Sequence, residues 1–437
     1  MNIVVIGTGY VGLVSGACFS EFGFSVICVD NDPDKIKSLE QGRIPIYEPG
    51  LDELVKRNAS AGRLQFTTEL GPAVSAADAV FIAVGTPTRR GDGHADLSFV
   101  FAAAEEVAAH LSNYTVVVTK STVPVGTGQQ VEQVIRKANP DADFDIAANP
   151  EFLREGSAIS DFMRPDRVIV GVRAQKAEHV MRQLYRPLYL IEKPVLFTSL
   201  ETAELIKYAA NAFLAVKISY INQMADLCEK VGADVHDVAK GMGLDKRIGD
   251  KFLHPGPGYG GSCFPKDTLA LVRTAEDYDS PVSIVTDVVA YNQARKRAMP
   301  KRVISAFSGN VNGRKIAVLG LAFKPETDDM RESPAIEIIT ELIAAGAVIA
   351  AYDPAAVDEA RQIFSDNIYY EDSAQACLDG ADGVIVVTEW NEFRALTPRL
   401  FSDLMKGKVL VDFRNIYEPE QMKAVGLSYH SIGRPDA

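Results

Sequence analysis

Short runs of β-branched and aliphatic residues alternate with amphipathic stretches over the first part of the chain. Six such runs predict strands: NIVVIG, SVICVD, DAVFIAVG, TVVVTKS, FDIAAN and RVIVGV. The stretches between them have helical spacing, and this alternation is typical of a doubly wound parallel sheet. We therefore predict a Rossmann-like α/β domain over residues 1–200.

The pattern changes at Glu201. No proline interrupts the segment from Glu201 to about Val231, and its first glycine ends it. At about 1.5 Å per residue the segment predicts a helix of roughly 45 Å. That length is typical of a spacer between domains or of a dimer interface, and a long core helix that serves only packing is the alternative. A Gly- and Pro-rich loop and two helices, near Thr268–Ala275 and Pro281–Phe307, complete a central helical domain over residues 201–308.

The alternation of strands and helices resumes at Arg314. The runs RKIAVLGLAF, AVIAAYDP, DGVIVVTE and KVLVDFRN predict a second, smaller α/β domain over residues 309–437. Ser333 followed by Pro334 predicts a helix start, with Ser as the N-cap and Pro as the first helical residue. The whole chain is thus predicted to fold as two Rossmann-like domains joined by a long central helix.

Length, composition and charge agree with this organisation and exclude several classes of protein. The 437 residues exceed one ordinary core, and 47% hydrophobic and 24% charged residues are usual for a globular chain. A net charge of −13 without a basic tract argues against nucleic acid or an anionic membrane as partner. No apolar run approaches the ~20 residues that span a bilayer, and the first residues lack the features of a signal peptide.

The cysteines and histidines favour a cytoplasmic protein without a metal. Five scattered cysteines with no C-x-x-C pair fit a reducing cytosol rather than a disulfide framework. Six histidines show no metal-ligand spacing, so no metal site is expected. Four of the cysteines lie in strand or helix patterns and are interpreted as small buried hydrophobes: Cys18, Cys28, Cys228 and Cys377.

A dinucleotide-binding pattern follows the first strand. Gly7, Gly9 and Gly12 form G-x-G-x-x-G at the start of a helix, and the next strand ends in Asp30. Gly7 permits the tight turn, Gly9 the close approach of a pyrophosphate, and Gly12 the packing of helix on strand. An acid at Asp30 accepts hydrogen bonds from ribose hydroxyls and repels a 2′-phosphate, so NAD is favoured over NADP.

The second α/β domain has only the first glycine of this pattern, Gly320. Its first turn carries Lys324, and Arg331 follows seven residues later. We interpret this domain as one that has lost dinucleotide binding and offers a cation to a phosphate. Exposed surface charge is the alternative for Lys324.

The fifth cysteine, Cys263, stands in the loop GYGGSCFPKD instead of an element. Two glycines before it allow backbone or substrate to approach. Pro265 is a plausible first helical residue, so the thiol would face a helix N-terminus. That field and Lys266 favour a thiolate, and Asp267 opposes it.

An NAD enzyme needs such a nucleophile when it oxidises an aldehyde to an acid. A thiolate adds to the aldehyde, oxidation of the adduct gives a thioester, and water cleaves it. NAD together with a presented cysteine therefore suggests oxidation to the acid level. A structural cysteine is the alternative.

Seven motifs occur in order across nearly the whole chain: GTGYVGLVSG, IPIYEPGLDEL, VGTPT, KSTVPVGT, NPEFLREGSA, GPGYGGSCFPKD and FKPETDDMRESPAIEI. With these motifs the chain resembles the UDP-glucose/GDP-mannose dehydrogenase superfamily. The resemblance implies that UDP-glucose, two NAD and water give UDP-glucuronate and two NADH. The same chemistry on GDP-mannose or a UDP-N-acetylhexosamine is the alternative. The resemblance also implies a homodimer, which we expect to form through the central helix.

The resemblance assigns three residues to the reacting carbon. Cys263 matches the nucleophile. Lys207 and Asn211 match a pair at the hydroxymethyl group, and their spacing of four residues puts both on one helix face. A cation there stabilises the developing alkoxide and the later oxyanion.

Four further residues match positions that handle protons, water and the nicotinamide. Asp267 matches an acid that handles protons and water, and Thr122 a residue that holds a catalytic water. Glu151 matches the general base for thioester hydrolysis, and Glu155 a contact on the nicotinamide side. Plain surface charge is the alternative for the two glutamates that flank FLR.

Two larger sets match binding positions. For NAD these are Gly7, Gly9, Val11, Gly12, Asp30, Lys35, Thr86, Thr122, Glu155, Lys266 and Arg331. For the sugar nucleotide they are Glu151, Phe152, Leu153, Arg154, Lys207, Asn211, Arg247, Phe252, Tyr259, Gly260, Lys324 and Arg414. Arg247 matches an arginine that reaches the partner subunit's substrate, which would make dimerisation catalytic. An NAD-binding structural or sensor protein is the non-enzymatic alternative, but it would lack catalytic positions that are all present here.

Overall fold

A computed structural model describes residues 1–89 and 91–435 of the chain. These residues form two compact units. The first contains Met1–Ala210 and Ala270–Pro281, and the second contains Asn211–Leu269 and the chain from Val282 onward. Each unit is built around one sheet, and the predicted fold class of two Rossmann-like domains with a long central helix is confirmed. The residue limits predicted for three domains stay a prediction.

The first unit contains an eight-stranded sheet with strand order β3-β2-β1-β4-β5-β6-β7-β8. Its strands are β1 (Asn2–Ile6), β2 (Ser25–Val29), β3 (Leu64–Thr67), β4 (Ala79–Ile82), β5 (Thr115–Thr119), β6 (Phe144–Ala148), β7 (Val168–Val172) and β8 (Val195–Thr198). All six predicted strands are present, and β3 and β8 are added at the two edges. The sheet differs from a fully parallel one because β7 runs antiparallel to β6.

Nine helices accompany this sheet along the described chain. They are α1 (Tyr10–Glu21), α2 (Pro33–Glu40), α3 (Leu51–Ser60), α4 (Leu70–Ser75), α5 (Ser98–Ala108), α6 (Thr127–Ala138), α7 (Ala158–Met163), α8 (Gln175–Leu184) and α9 (Arg186–Tyr189). Successive side chains of a strand point to opposite faces of the sheet. Ile3 and Val5 of β1 therefore join one hydrophobic core and Val4 and Ile6 another, so both faces are covered.

The central helix α10 spans Leu200–Val231, which confirms the predicted helix in place and length. Its first turns are anchored in the first unit by Glu204, whose side chain is 2% exposed. The carboxylate accepts hydrogen bonds from the backbone N–H groups of Gly126 (2.6 Å) and Gly128 (2.7 Å), at the start of α6. Unpaired N–H groups at a helix start bind anions well, so Glu204 holds α10 against α6.

The second unit contains a six-stranded, fully parallel sheet with strand order β11-β10-β9-β12-β13-β14. Its strands are β9 (Lys315–Leu319), β10 (Val348–Tyr352), β11 (Tyr369–Tyr370), β12 (Gly383–Val386), β13 (Val409–Asp412) and β14 (Ser428–His430). The four central strands are those predicted, and the short edge strands β11 and β14 are additional.

The remaining helices are α11 (Val235–Gly243), α12 (Phe264–Asp277), α13 (Ser283–Ala306), α14 (Pro334–Ala344), α15 (Val357–Phe364), α16 (Ala374–Leu378), α17 (Asn391–Arg394), α18 (Pro398–Leu404) and α19 (Pro419–Ala424). A 3₁₀ turn covers Ser365–Asn367. Helix α14 begins as predicted, because the Ser333 side chain accepts a hydrogen bond from the N–H of Ala335 and Pro334 is the first helical residue.

Exchange of Glu204 for Gln tests the anchor of α10 through its pH dependence. Burial raises the pKa of Glu204 to about 7, although the N–H groups of Gly128 and Gly126 lower it. The folded protein therefore holds this proton more tightly than the unfolded chain, and the contribution of Glu204 to stability falls as pH rises from about 5 to about 8. The fall is expected to reach roughly 3 kcal/mol.

Glu204→Gln cannot titrate, so the difference between wild-type and variant free energies of unfolding should decrease over that pH range. Thermal and urea unfolding of both proteins at three pH values measures it. Other titrating groups are common to both proteins and cancel in the difference. A difference that stays constant with pH would show that the carboxylate is already ionised at pH 5.

Candidate active site

The dinucleotide turn has the geometry that its glycines predict. Gly7 has φ of 96°, and a Cβ there would lie 2.8 Å from the carbonyl oxygen of Ala83. A Cβ on Gly12 would lie 1.8 Å from the carbonyl oxygen of Gly7, so α1 could not pack on the turn. A Cβ on Gly9 would meet no protein atom within 4 Å. Packing thus requires the first and third glycines, and the second leaves the turn open to a close-approaching pyrophosphate.

Asp30 is fixed at the end of β2 beside this turn. One carboxylate oxygen accepts hydrogen bonds from the backbone N–H and the hydroxyl of Thr8, both at 2.7 Å. The other oxygen accepts from the N–H of Asp32, and Lys35 Nζ lies 3.3 Å from the oxygen that Thr8 bonds. Burial raises the pKa of Asp30, but these hydrogen bonds and Lys35 outweigh it, so the net pKa is lowered. The ionised carboxylate is placed to accept from ribose hydroxyls.

The other NAD positions of the first unit lie at strand ends or on α1. Thr86 follows β4, and its hydroxyl donates to the carbonyl oxygen of Thr122, which follows β5, at 2.9 Å. Val11 lies in the first turn of α1. The pKa of Tyr10 is raised by burial, by Glu48 and by the charge of Glu155, which places Glu155 near the start of α1.

Glu151 and Lys207 form a buried ion pair within the first unit. Glu151 lies in the loop after β6, Lys207 lies on α10, and Nζ is 3.2 Å from a carboxylate oxygen. Both side chains are about 95% buried or more. The other carboxylate oxygen accepts from the N–H of Leu153, and Lys207 lies over the ring of Phe152, 5.3 Å from its centre. Because both residues are buried and paired, surface charge does not account for Glu151.

The loop that carries Glu151 is held by an acid that sequence reasoning missed. Glu48 is 7% exposed and accepts from the N–H groups of Gly156 (2.6 Å) and Ala158 (2.8 Å), and from the hydroxyl of Tyr10. It thereby ties the first residue of α1 to the far end of the loop. Its position inside the motif IPIYEPGLDEL was the available signal. The side chain of Arg154, a residue predicted to contact the substrate through its backbone, pairs with Asp161 at 2.6 Å and is largely exposed; its substrate contact stays a prediction.

Cys263 has the environment predicted for it in the second unit. It directly precedes α12, its carbonyl oxygen accepts from the N–H of Asp267 at 2.8 Å, and Ser262 Oγ lies 3.5 Å from its Sγ. The other four cysteines are buried and Cys263 is partly exposed, as expected. The thiol therefore stands at the N-terminus of a 14-residue helix, where the helix dipole favours negative charge.

Asp267 connects the cysteine helix to α10. Its side chain is 1% exposed, accepts from Asn211 Nδ2 at 2.7 Å and pairs with Lys266 Nζ at 2.8 Å. Lys207 and Asn211, one turn apart on α10, are thus each bonded to one buried carboxylate.

The glycines of the cysteine loop are required by close backbone packing. A Cβ on Gly260 would lie 2.4 Å from the carbonyl oxygen of Glu332, and one on Gly261 would lie 2.6 Å from the ring of Phe323. The N–H of Gly261 also donates to the carbonyl oxygen of Arg331 at 2.8 Å. What approaches these glycines is the backbone and an aromatic ring of the second α/β domain.

The aromatic positions of the loop pack together. Tyr259 is 6% exposed, exchanges hydrogen bonds between its backbone and Asn292, and packs edge-on against Phe264. Phe252 has φ of 64°, rare for a non-glycine residue, and its ring centre lies 6.1 Å from that of Phe264.

The predicted cationic side chains of the second unit have different kinds of partner within the protein. Arg414 bonds the carbonyl oxygens of Val387 (2.6 Å) and Phe323 (3.0 Å) and pairs with Glu389. Arg331 forms a two-point pair with Asp329, Arg247 pairs with Asp245 at an 89% exposed position, and Lys324 lies 5.7 Å from the ring centre of Phe323.

The second α/β domain has a turn that differs chemically from the first. Gly320 has φ of 96°, as Gly7 does, but Ala322 and Pro325 replace the second and third glycines. Asp353, at the end of β10, accepts from the N–H groups of Leu321 and Ala322 at 2.7 and 3.0 Å and is 2% exposed. The contacts of Asp353 resemble those of Asp30 with the first turn, so the second and third positions of the pattern are what distinguish the two turns. That this domain has lost dinucleotide binding stays a prediction.

Within residues 1–89 and 91–435, no helix is both long and apolar enough to cross a membrane. In the same part of the chain, no group of three or more His, Cys, Asp or Glu side chains could hold a metal ion.

The fold and the dinucleotide turn define a Rossmann-type NAD-binding oxidoreductase. Three domains of one family match the sequence in order: the NAD binding domain at residues 1–189, the central domain at 201–294 and the UDP binding domain at 317–419. The chain belongs to the UDP-glucose/GDP-mannose dehydrogenase family.

Individual relatives are similar over their full length. UDP-glucose 6-dehydrogenase of Rhizobium meliloti (strain 1021) is 59% identical over all of both chains. UDP-glucose 6-dehydrogenase TuaD of Bacillus subtilis (strain 168) is 48% identical over 99% of this chain and 93% of its own. The structure of a UDP-glucose dehydrogenase from the archaeon Pyrobaculum islandicum superposes with a TM-score of 0.90 at 39% identity, covering 98% and 96% of the chains.

Removal of the Asp30 carboxylate is expected to weaken NAD and to admit NADP. Asp30→Ala loses the acceptor for ribose hydroxyls, so the Kd for NAD should rise about ten- to one-hundred-fold. The ammonium of Lys35 then becomes available to a 2′-phosphate, so the Kd for NADP should fall. Fluorescence titration with both cofactors measures the change. Asp34→Ala, which removes an exposed charge from the first turn of α2, is the control. An unchanged ratio of the Kd values for NAD and NADP in Asp30→Ala would contradict the assignment.

Proposed function

We propose that this chain oxidises UDP-glucose to UDP-glucuronate in a four-electron reaction that uses two NAD and one water. The observation that carries the proposal is Cys263, which is partly exposed at the start of α12 while the other cysteines are buried. The similar proteins described above are UDP-glucose dehydrogenases, which supports UDP-glucose as the substrate over GDP-mannose or a UDP-N-acetylhexosamine. NAD, when bound, accepts one hydride in each of the two oxidations.

In the first oxidation the C6 hydroxyl loses a proton and a hydride and becomes an aldehyde. We assign Lys207 and Asn211 to the oxygen of this group. The ammonium and the amide N–H stabilise negative charge that develops on it, and their buried carboxylate partners keep both side chains oriented. Asp267, paired with Asn211 and Lys266, is assigned to the movement of protons and water.

In the second oxidation the thiolate of Cys263 adds to the aldehyde carbon and forms a thiohemiacetal. Loss of a second hydride from the same carbon converts this adduct to a thioester. The thiolate is favoured by the start of α12, where backbone N–H groups face it. The carbon of a free aldehyde is trigonal, and it gives up hydride readily only after it has become tetrahedral. Without the covalent adduct, the hydrate of the aldehyde would be the only tetrahedral form.

The thioester is cleaved by water. We assign Glu151 as the base that takes a proton from the attacking water, and Thr122 as the residue that holds this water. The carbon–sulfur bond breaks, the acid is released, and the electron pair returns to Cys263 as a thiolate.

The sugar nucleotide is proposed to bind through the second α/β domain, which matches the UDP binding domain of the family. Lys324, Arg247 and Arg414 supply positive charge for a diphosphate, and Tyr259, Phe252 and Gly260 shape the loop. NAD is assigned to the turn of Gly7 and to Asp30. We propose the three domains as residues 1–200, 201–308 and 309–437, and a cytoplasmic location. The cysteines of the described residues form no disulfide, which supports this location.

We propose that two chains pair through α10. Five apolar residues of this helix are 45–65% exposed: Leu205, Phe213, Tyr220, Leu227 and Val231. The spacing of the last four, seven, seven and four residues, puts them in one stripe along the helix. An exposed apolar stripe on a long helix is typical of an interface between chains. Pairing would also bring an exposed Arg247 within reach of a partner chain.

Exchange of Cys263 for Ser is expected to stop acid formation. Wild-type protein should release two NADH per UDP-glucose, and Cys263→Ser should form UDP-glucuronate about a thousand-fold more slowly or worse. Absorbance of NADH together with mass analysis of the sugar nucleotide measures both quantities. Cys377→Ala, a buried cysteine of α16, is the control. Acid formation by Cys263→Ser at the wild-type rate would reject the thioester mechanism, and a higher rate with GDP-mannose would reject the substrate.

Charges placed in the α10 stripe are expected to separate the chains. Phe213→Glu with Leu227→Glu puts carboxylates into the apolar contact without breaking the helix, because Glu is a good helix former. Light scattering after gel filtration should change from two chains to one. Tyr369→Glu, on the exposed edge strand β11, should remain two chains. If the double variant stays paired, the interface lies elsewhere.

A further inference from the structure

A buried lysine outside the proposed catalytic set lies beside the loop that carries Glu151. Lys120 directly follows β5 and is 4% exposed. Its Nζ donates to Asn149 Oδ1 at 3.0 Å and to the hydroxyl of Tyr185 at 3.4 Å, and lies 5.6 Å from the ring centre of Phe162. These hydrogen-bond partners are neutral, so the ammonium is buried among groups that do not cancel its charge.

Burying such a charge is costly, and the structure reflects this. Burial lowers the pKa of Lys120, the negative charge of Glu151 raises it and Lys207 lowers it, and the net pKa is about 8. The buried thiol of Cys18, on α1, lies close enough to act on it as well. Glu151, the ion-pair partner of Lys207, is thus the carboxylate whose charge acts on Lys120.

The hydrogen bonds of Lys120 also fix the start of the Glu151 loop. Asn149 is fully buried, its N–H donates to the carbonyl oxygen of Thr119 at 2.9 Å, and its Nδ2 donates to that of Ile169 at 2.8 Å. Its Oδ1 accepts from both Lys120 and Tyr185. Glu151 follows two residues later, so the direction in which this loop leaves β6 depends on the side chain that Lys120 holds.

We propose that Lys120 is a positioning residue for thioester hydrolysis: its ammonium holds the side chain of Asn149 and thereby fixes the loop that presents the carboxylate of Glu151. The proposal rests on the proposed function, which assigns Glu151 as the base. Lys120 acts through Glu151 and does not contact substrate.

If Lys120 served only the fold, its replacement by an apolar residue would lower stability. We expect the opposite, because a buried charge without an opposite charge in direct contact contributes little to stability, and an apolar side chain of similar length often stabilises the same position. Lys120→Met should therefore fold with a melting temperature equal to or above that of wild type. Retention of lysine would then serve Glu151 and not the fold.

The test is the rate of thioester hydrolysis. Enzyme mixed with UDP-glucose and NAD is quenched with acid at intervals, and intact mass spectrometry measures the fraction of chains that carry the sugar nucleotide on Cys263. In Lys120→Met the loop that carries Glu151 loses the ammonium that holds Asn149. Hydrolysis should therefore slow about ten-fold, while the first release of NADH changes less than about two-fold.

Three further variants make the result decisive. Tyr185→Phe removes the other donor to Asn149 Oδ1 but keeps the ammonium, so it should slow hydrolysis less than Lys120→Met does. Glu151→Gln should slow hydrolysis, and Lys120→Met added to Glu151→Gln should slow it no further. If Glu151→Gln hydrolyses the thioester at the wild-type rate, the proposed role of Glu151 is wrong.

If Glu151→Gln slows hydrolysis but Lys120→Met does not, the inference about Lys120 is wrong and the proposed function stands. Lys120→Gln is the second neutral variant. Failure of both neutral variants to fold, while Tyr185→Phe folds, would show a structural role and equally overturn the inference.

Discussion

The constraint on which the proposed site depends is that a charge removed from water must find a partner. Helix α10 meets this constraint twice within one turn, since Lys207 bonds Glu151 and Asn211 bonds Asp267. Each bond fixes a side chain that burial alone would leave in several orientations. The continuity of the helix then has a chemical consequence, because the separation of Lys207 and Asn211 is set by helix geometry and not by a loop.

The same constraint explains why backbone N–H groups are so often the partners of the acids. Glu48 is held by the start of α7, Glu204 by the start of α6 and Asp353 by the turn after β9. In each case a carboxylate satisfies N–H groups that a helix start or turn leaves unpaired. Two structural problems, an unpaired amide and a buried charge, are solved by one contact. The chain therefore positions loops by acids at helix starts more than by apolar packing alone.

Features with local causes could be predicted from sequence. The glycine turn, the uninterrupted helix α10 and the cap at Ser333 each depend on residues a few positions apart, and all three have the predicted form. The antiparallel direction of β7 could not be predicted, because RVIVGV identifies a strand but nothing in it gives a direction. The edge strands β3, β8, β11 and β14 were missed because they are short and lack the β-branched runs of the central strands.

The residues of the candidate site also fall into two groups, those that the local sequence identifies and those that only the fold brings together. Gly7, Asp30 and Cys263 carry signals in their immediate sequence, but the pairing of Lys207 with Glu151 joins residues 56 positions apart. Lys120 shows the limit of sequence reasoning most clearly, because a lysine after an apolar strand is ordinarily a solvated strand end. Only the three-dimensional arrangement shows that its ammonium is buried and that it holds the side chain of Asn149, two residues before Glu151. A lysine kept in such a place costs desolvation free energy that a methionine would not, and its chemistry must account for that cost.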